Sequence, residues 1–264
     1  MIMDSVLFKT EDGIAHITLN RPSSYNAFNY EMAQRLRQLL EACETDDSVR
    51  CICLTGAGKA FCSGQDLAEF PDPAKIDFER VVREYYNPII TLLRRIEKPI
   101  VAAVNGVAAG AGANIALACD IVIATAGASF LQAFSKIGLI PDSGGTFFLP
   151  RLVGMQQAAG LMMLADKVSA SDAAAMGMIY KAVPDEEFQT EVHRITKTLA
   201  QMPTVGIGLT KRLLNQSFSH NLEQQLALEK ELQVEAGATP DFVEGVQAFL
   251  EKRKPVFTGL RKKN

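Results

Sequence analysis

Hydrophobic and polar positions alternate at two different periods along the first two thirds of the chain. Val6–Thr10 and Ile14–Leu19 read as strands separated by Glu11-Asp12-Gly13, a hairpin signal. Tyr30–Glu44 places Met32, Leu36, Leu39, Leu40 and Cys43 on one helical face. Val49–Thr55 reads as a buried strand, closed by the turn Gly56-Ala57-Gly58-Lys59. Phe78–Ile96 predicts a helix with charge on one side, and it delivers the chain to a further buried strand at Ile100–Val104. Asp120–Ala124 and Ile179–Val183 are the remaining strands, with short helices at Met155–Asp166 and Ser171–Met176. Beyond Asp185 the pattern is helical throughout, at Glu187–Met202, Thr204–Ser217, Leu222–Ala236 and Phe242–Lys252. Alternating strands and helices predict an α/β fold, and the change to helices alone marks an appendage near residue 200. The expected division is a core over 1–200 and a helical region over 201–264. No internal repeat of fixed period is present.

The stretch Lys98–Asp120 organises the rest. It passes from the strand through Asn105-Gly106, Gly110 and Gly112 into an alanine-rich run, Ala113–Cys119, expected to be a buried helix. The first N–H groups of such a helix lack intrahelical partners and point at whatever lies before them. Glycine and alanine leave room for a ligand to reach that backbone. Simple close packing of helix on sheet accounts for the same composition. A membrane span is disfavoured by Asn105, Asn114 and three glycines within the run.

Composition narrows the classes. Of 264 residues, 48% are hydrophobic and 22% charged, with a formal net charge of −3, so a sizeable core is expected and disorder is not. Nothing in that balance suggests nucleic acid or an anionic membrane. The N-terminus carries no basic region followed by a long apolar run. The five cysteines include Cys51, Cys53 and Cys119 in apolar runs, where a reduced thiol is expected. The three histidines are scattered, so neither a metal cluster nor a Ser/Cys–His pair is evident. A cytoplasmic protein without metal or other cofactor is the expectation.

Three segments carry candidate chemistry. Ala60–Leu67, AFCSGQDL, is a second small-residue turn after a strand, or an ordinary loop. Gly56–Lys59 is not a P-loop, because position 53 is Cys and Ala60 follows the lysine where Ser or Thr would bind magnesium. Gly110-x-Gly112 is a weak dinucleotide signal, since the third glycine position is Ile115. Asp142 is a lone carboxylate in the otherwise uncharged run Ile137–Pro150. Burial there disfavours its charged form unless hydrogen bonds hold it, which suits either a functional group or a helix N-cap.

Several motifs in register resemble the crotonase (enoyl-CoA hydratase/isomerase) superfamily over nearly the whole chain. They are Asn20-Arg21-Pro22 with Asn26-Ala27, Ser63-Gly64-Gln65-Asp66-Leu67, Asn105-Gly106-x-Ala108-x-Gly110-Ala111-Gly112, Cys119-Asp120 and Gly138-x-Ile140-Pro141-Asp142-x-Gly144-Gly145. Within the superfamily, TGAGKAFCSGQDL, YYNP, AVNGVAAGAGA and AFSKIGLIPDSGGT look most like the branch that isomerises ring-epoxide acyl-CoA thioesters. The resemblance implies a spiral of β-β-α turns with a C-terminal helical trimerisation region, and a homotrimer or dimer of trimers. It implies an acyl-CoA substrate and an oxyanion hole from the backbone N–H groups of Gln65 and Ala111. It further implies substrate contacts at Asn26, Ala27, Lys59, Ser63, Gly64, Asp66, Leu67, Gly110, Asn114 and Phe134.

Two departures from the superfamily pattern shift the expected chemistry. Its hydratases hold water between two glutamates, and those positions here are Asn114 and Phe134. Asp142 stands where its isomerases often place their base. One carboxylate suits taking a proton from one carbon and returning it at another, so an acyl-CoA isomerase is expected. Residual hydration through Asp142, or a hydrolase or dehalogenase with Asp142 as nucleophile, is the enzymatic alternative. An RNA-binding relative is the non-enzymatic one, resting on the basic C-terminus Lys252, Arg253, Lys254, Arg261, Lys262 and Lys263. Phe28, Phe70, Tyr85, Tyr86, Phe130 and Phe134 are candidates for an acyl pocket or for core packing.

Overall fold

A computed structural model describes residues 4–261. Lys262 and Lys263 of the basic C-terminus lie outside the described residues, as do the first three residues. The chain begins with the expected hairpin of β1 (Val6–Glu11) and β2 (Ile14–Leu19), antiparallel and closed by Asp12 and Gly13, both at positive φ. Helix α1 (Tyr30–Thr45) is capped by Asn29, whose side chain accepts from the Met32 N–H, and it buries Met32, Leu36, Leu39, Leu40 and Cys43 as its periodicity requires.

Strands β3 (Cys51–Gly56), β5 (Ile100–Val104), β7 (Ile121–Thr125) and β10 (Lys181–Val183) extend the hairpin into a six-stranded sheet in the order β1-β2-β3-β5-β7-β10. Every pair after the hairpin is parallel. A second sheet holds β4 (Ala60–Cys62), β6 (Val107–Ala109), β8 (Ser129–Leu131) and β9 (Val168–Ser169) in that order. The chain therefore steps from one sheet to the other at β3–β4, β5–β6 and β7–β8, and each step advances one strand in both. The steps fall at irregular intervals along the sequence, which is why no period is visible in it.

Helices fill the returns. Between β4 and β5 lie α2 (Phe78–Val81) and α3 (Asn87–Arg95), joined by one wide π turn at Val82–Tyr86. The expected continuous helix over Phe78–Ile96 is thus interrupted, because Pro88 has no N–H and its ring crowds the preceding turn. Helix α4 (Ala111–Leu117) follows β6 with all seven residues buried. Helix α5 (Gly145–Val153), unexpected from the sequence, begins inside the glycine-rich turn and contains Pro150. Then come α6 (Met155–Leu164) and α7 (Ala170–Ala175).

The C-terminal part is α8 (Phe188–Gln201), α9 (Thr204–Gln216), α10 (Leu222–Gly237) and α11 (Pro240–Leu250). Helix α8 packs Val192, Ile195 and Ala200 against Ile14, Cys51, Cys53 and Val101 of the main sheet. Val205 and Leu209 of α9 meet Leu232 of α10 in a separate cluster. The buried Lys211 of α9 donates to the Leu93 carbonyl at 2.6 Å and to Asp120 at 2.8 Å, which fastens the helical region to the end of α3 and the start of β7. All five cysteines are buried free thiols. Among the described residues no helix is long and apolar enough to cross a membrane.

Candidate active site

Two backbone turns and one carboxylate converge where the two sheets meet α4. After β4 the chain runs alongside Phe28 in a single parallel bridge to Gln65. The Phe28 N–H donates to the Gly64 carbonyl at 2.7 Å and the Asp66 N–H to the Phe28 carbonyl at 2.8 Å. That pattern uses the residues flanking Gln65 and turns the Gln65 N–H to the opposite side. Gly64 sits at φ 94°, and a Cβ there would lie 3.0 Å from the Ala109 carbonyl oxygen and 3.6 Å from the Ala111 nitrogen. Glycine thus permits the Gln65 turn to touch the start of α4.

Ala111 is the first residue of α4, after Gly110 at φ 52°. Its N–H is one of the orphan donors of a helix start. Among the described residues neither the Gln65 nor the Ala111 N–H has a protein acceptor. Gly112 keeps the helix close, since a Cβ on it would stand 2.3 Å from the Cys62 carbonyl oxygen. Two unpaired donors brought together in this way are the chemistry that holds an oxyanion in enzymes that form one. Phe134, buried, closes one side: a Cβ on Gly110 would meet its ring at 3.7 Å.

Asp142 precedes Ser143 and Gly144, consecutive residues at φ 52° and 72°. Gly144 caps α5, and no side chain does so, which removes the N-cap explanation for Asp142. The Asp142 carboxylate accepts from Ser143 Oγ at 2.9 Å. Burial pushes its pKa above the ordinary carboxylate value, with the Ser143 hydrogen bond partly offsetting this. A carboxylate with a raised pKa and few partners is a stronger base than one in water.

Three residues expected to meet substrate have their side chains committed elsewhere. Asn26 is fully buried; its amide donates to the Ala57 and Ala60 carbonyls and accepts from the Arg21 N–H, locking three loops together. Asp66 pairs with Arg21 at 2.7 Å and caps the Ala68 N–H. Asn114 is fully buried, donates to the Asp142 carbonyl at 2.8 Å and accepts from Gln132 at 2.7 Å. The polar groups of these side chains are engaged by partners within the protein. Ser63 bonds the Ser24 carbonyl, Ala27 is buried, and Lys59 and Leu67 are exposed.

Gln132 joins these residues with no signal in the sequence, and Tyr86, a candidate for an acyl pocket or core packing, joins them through a hydrogen bond. Gln132 is buried with its Oε1 unpartnered, and it supports Asn114. Tyr86 donates to Gln65 Oε1 at 2.7 Å. Neither pairing is readable from spacing, because the partners come from different elements. Among the basic C-terminal residues, Arg253 pairs with Glu244 and Glu251, and Arg261 with Glu97 and Glu235.

Comparison with known proteins identifies the family of the chain. The enoyl-CoA hydratase/isomerase family profile matches residues 9–261. The chain is 46% identical over 261 residues to the 1,2-epoxyphenylacetyl-CoA isomerase of Escherichia coli (strain K12), covering 98% of this chain and 100% of that protein. It is also 46% identical over 259 residues to a protein of Rhodobacter capsulatus named "Probable enoyl-CoA hydratase", at 98% and 100% coverage. The crystal structure of an enoyl-CoA hydratase from Bacillus anthracis superposes with a TM-score of 0.89 at 31% identity, covering 97% of this chain and 100% of that one. With its paired sheets, its two unpaired backbone donors and its loop carboxylate, the chain belongs to the enoyl-CoA hydratase/isomerase (crotonase) family.

Proposed function

We propose that the protein is an acyl-CoA isomerase that works with one carboxylate and a backbone oxyanion hole. The observation that carries this reading is the state of the two positions where hydratases of the family place glutamates. Asn114 is spent on Gln132 and the Asp142 carbonyl, and Phe134 presents a ring. Asp142 remains as the carboxylate on the loop that Asn114 ties to α4, while Asp66 is paired with Arg21 and Glu69 with the Gln65 side chain. The Gln65 and Ala111 N–H groups polarise the thioester carbonyl and hold the enolate oxygen, each contributing about 3 kcal/mol to the transition state. Asp142 removes a proton near the α-carbon, and the resulting acid returns it at another carbon.

A ring 1,2-epoxyphenylacetyl-CoA substrate, giving the ring-expanded oxepin thioester, is favoured by the 46% identity to the Escherichia coli isomerase. The Phe134 ring beside Gly110, at the start of α4, suits an aromatic acyl group. An unsaturated acyl-CoA would instead undergo a double-bond shift. No step in this scheme uses a metal or an added cofactor.

We assign the helical region 201–264 to contact between copies, in a trimer or a pair of trimers. Val234, Phe249 and Leu250 of α10 and α11 are 72%, 82% and 73% exposed, an apolar surface that an isolated subunit leaves in water.

Product mass tests the catalytic reading. The purified protein is incubated separately with crotonyl-CoA, a 3-enoyl-CoA and the ring-epoxide thioester in labelled water. Product of unchanged mass without solvent oxygen is expected. Rapid gain of one water from crotonyl-CoA would replace this reading with hydration, and labelled oxygen in a released acid would replace it with hydrolysis.

A further inference from the structure

We propose that Tyr86 is a positioning residue for catalysis: its hydroxyl holds the Gln65 side chain and thereby aims the Gln65 backbone N–H into the oxyanion hole. The proposal rests on the acyl-CoA reading above. It begins from an anomaly in the fold. Tyr85 and Tyr86 are adjacent, yet both are buried, at 5% and 0% exposure. Successive residues of an α-helix diverge by about 100°, so one of the pair would ordinarily turn toward solvent.

The π turn at Val82–Tyr86 resolves this. The Asn87 N–H bonds the Val82 carbonyl, five residues back. Pro88 follows and offers no N–H to the Glu84 carbonyl, so that acceptor is free for another donor. Gln34 of α1 supplies it, its Nε2 bonding the Glu84 carbonyl at 3.2 Å. The widened turn directs Tyr86 inward to Gln65, and π turns inside helices recur at functional sites.

The Gln65 side chain is held at both ends. Its Nε2 donates to the Phe28 carbonyl at 3.0 Å and to Glu69 Oε2 at 3.0 Å. Both partners are acceptors, so the amide nitrogen must face them, and Oε1 must face Tyr86. The Tyr86 hydroxyl closes the set at 2.7 Å. Burial holds its phenol well above its ordinary pKa, so it remains a donor at neutral pH. Glu69 is itself anchored by the Tyr30 N–H at 2.9 Å. Among the described residues the main chain of Gln65 makes no hydrogen bond of its own, and its neighbours Gly64 and Asp66 bond the Phe28 main chain. Rotation of the peptide that carries the oxyanion donor is therefore opposed by the side-chain bonds, and Tyr86 contributes the one from the helix side. Phe28 and Tyr86, both partners of the Gln65 side chain, also pack ring to ring, with centroids 5.9 Å apart.

The test compares the full-length wild type with Tyr86→Phe, Gln65→Met and the double variant. Steady-state kinetics are measured on whichever thioester the wild type isomerises. Difference infrared spectra are recorded with phenylacetyl-CoA carrying a ¹³C thioester carbonyl. Tyr86→Phe is expected to lower kcat about tenfold with KM changed less than about twofold, because the donor acts on the developing oxyanion. The bound carbonyl band should move toward its position in free thioester. In the Gln65→Met background, adding Tyr86→Phe should cost nothing further, since its partner is already gone. Gln65→Met alone removes the Tyr86 bond together with those to Phe28 and Glu69, so it should lose at least as much kcat, and wild-type kcat in it overturns the proposal even if Tyr86→Phe fails to fold. Wild-type kcat and an unshifted band in Tyr86→Phe, wild-type kcat in Gln65→Met, or equal losses in both backgrounds would each overturn the proposal. Those outcomes leave the acyl-CoA reading standing. A wild type that binds no phenylacetyl-CoA and isomerises none of the thioesters would overturn both.

Discussion

Asn114 Nδ2 donates to the Asp142 backbone carbonyl at 2.8 Å and so ties α4, whose first N–H is the proposed oxyanion donor, to the loop that carries the proposed base. One buried amide thus links the two elements to which the proposed chemistry is assigned. The contact is close: a Cβ on Gly145 would lie 2.4 Å from the same Nδ2, so only glycine lets the α5 turn reach it.

Replacing Asn114 by Ala strips the Asp142 carbonyl of one of its two donors, the Gly145 N–H at 2.9 Å remaining, and leaves the Gln132 Nε2 without its partner in a dry environment. Loss of about 1–3 kcal/mol of unfolding free energy is expected. kcat should fall by more than KM rises, because the amide touches the base-bearing loop and not the ligand. Urea unfolding alongside steady-state kinetics checks both. Unchanged stability would show that water satisfies these groups.

Asp142→Asn should reduce turnover by about 10²–10⁴-fold, the range of general acid–base contributions, while acyl-CoA affinity measured by calorimetry stays nearly constant. The same variant should be more stable than wild type at neutral pH. The folded-state pKa of Asp142 is raised by burial, so the unfolded chain ionises first as pH rises, and stability is lost progressively up to the folded pKa. Asn carries no such pH-dependent loss, so the gain should vanish below the unfolded carboxylate pKa of about 4. Thermal melts at neutral and acid pH measure it.

Ser143→Gly should move the acid limb of the kcat/KM profile to higher pH. The Ser143 hydroxyl stabilises the ionised Asp142 and lowers its pKa against the opposing effect of burial. Glycine removes that donor and still accepts the φ of 52° at this position. A limb that stays put or moves to lower pH would assign the titration to another group.

Gly112→Ala tests the close approach of α4 to β4. The new methyl would stand 2.3 Å from the Cys62 carbonyl oxygen and 2.7 Å from Cys62 Cβ, so backbone must shift. A stability loss of about 1–3 kcal/mol is expected from overpacking. kcat should fall with it, because the displaced turn carries the Ala111 N–H.

Legibility in the sequence followed the range of the forces involved. The hairpin Val6–Leu19, helix α1 and strand β5 are set by local periodicity and turn residues, and they stand within a residue or two of the expected bounds. Strands β4, β6 and β8 have three residues each, too few to show a period, and they form because each pairs with strands from other turns of the spiral. Helix α5 was obscured by Gly144, Gly145 and Pro150, which argue locally against helix. Pro88 was the visible sign of the π turn, yet its effect on Tyr86 depends on packing against α1 and Gln65.

The sequence by itself determined the chemical inventory: two glycine-rich turns able to present bare N–H groups, one carboxylate in an uncharged run, and no glutamate at either of the hydratase positions. Tertiary structure alone decided which polar side chains remain free to act. Asn26, Asp66 and Asn114 look equally available along the chain, but partners from distant segments occupy their hydrogen-bonding groups. A buried polar group must be satisfied, and its partner is chosen by three-dimensional proximity, which no local pattern of residues encodes.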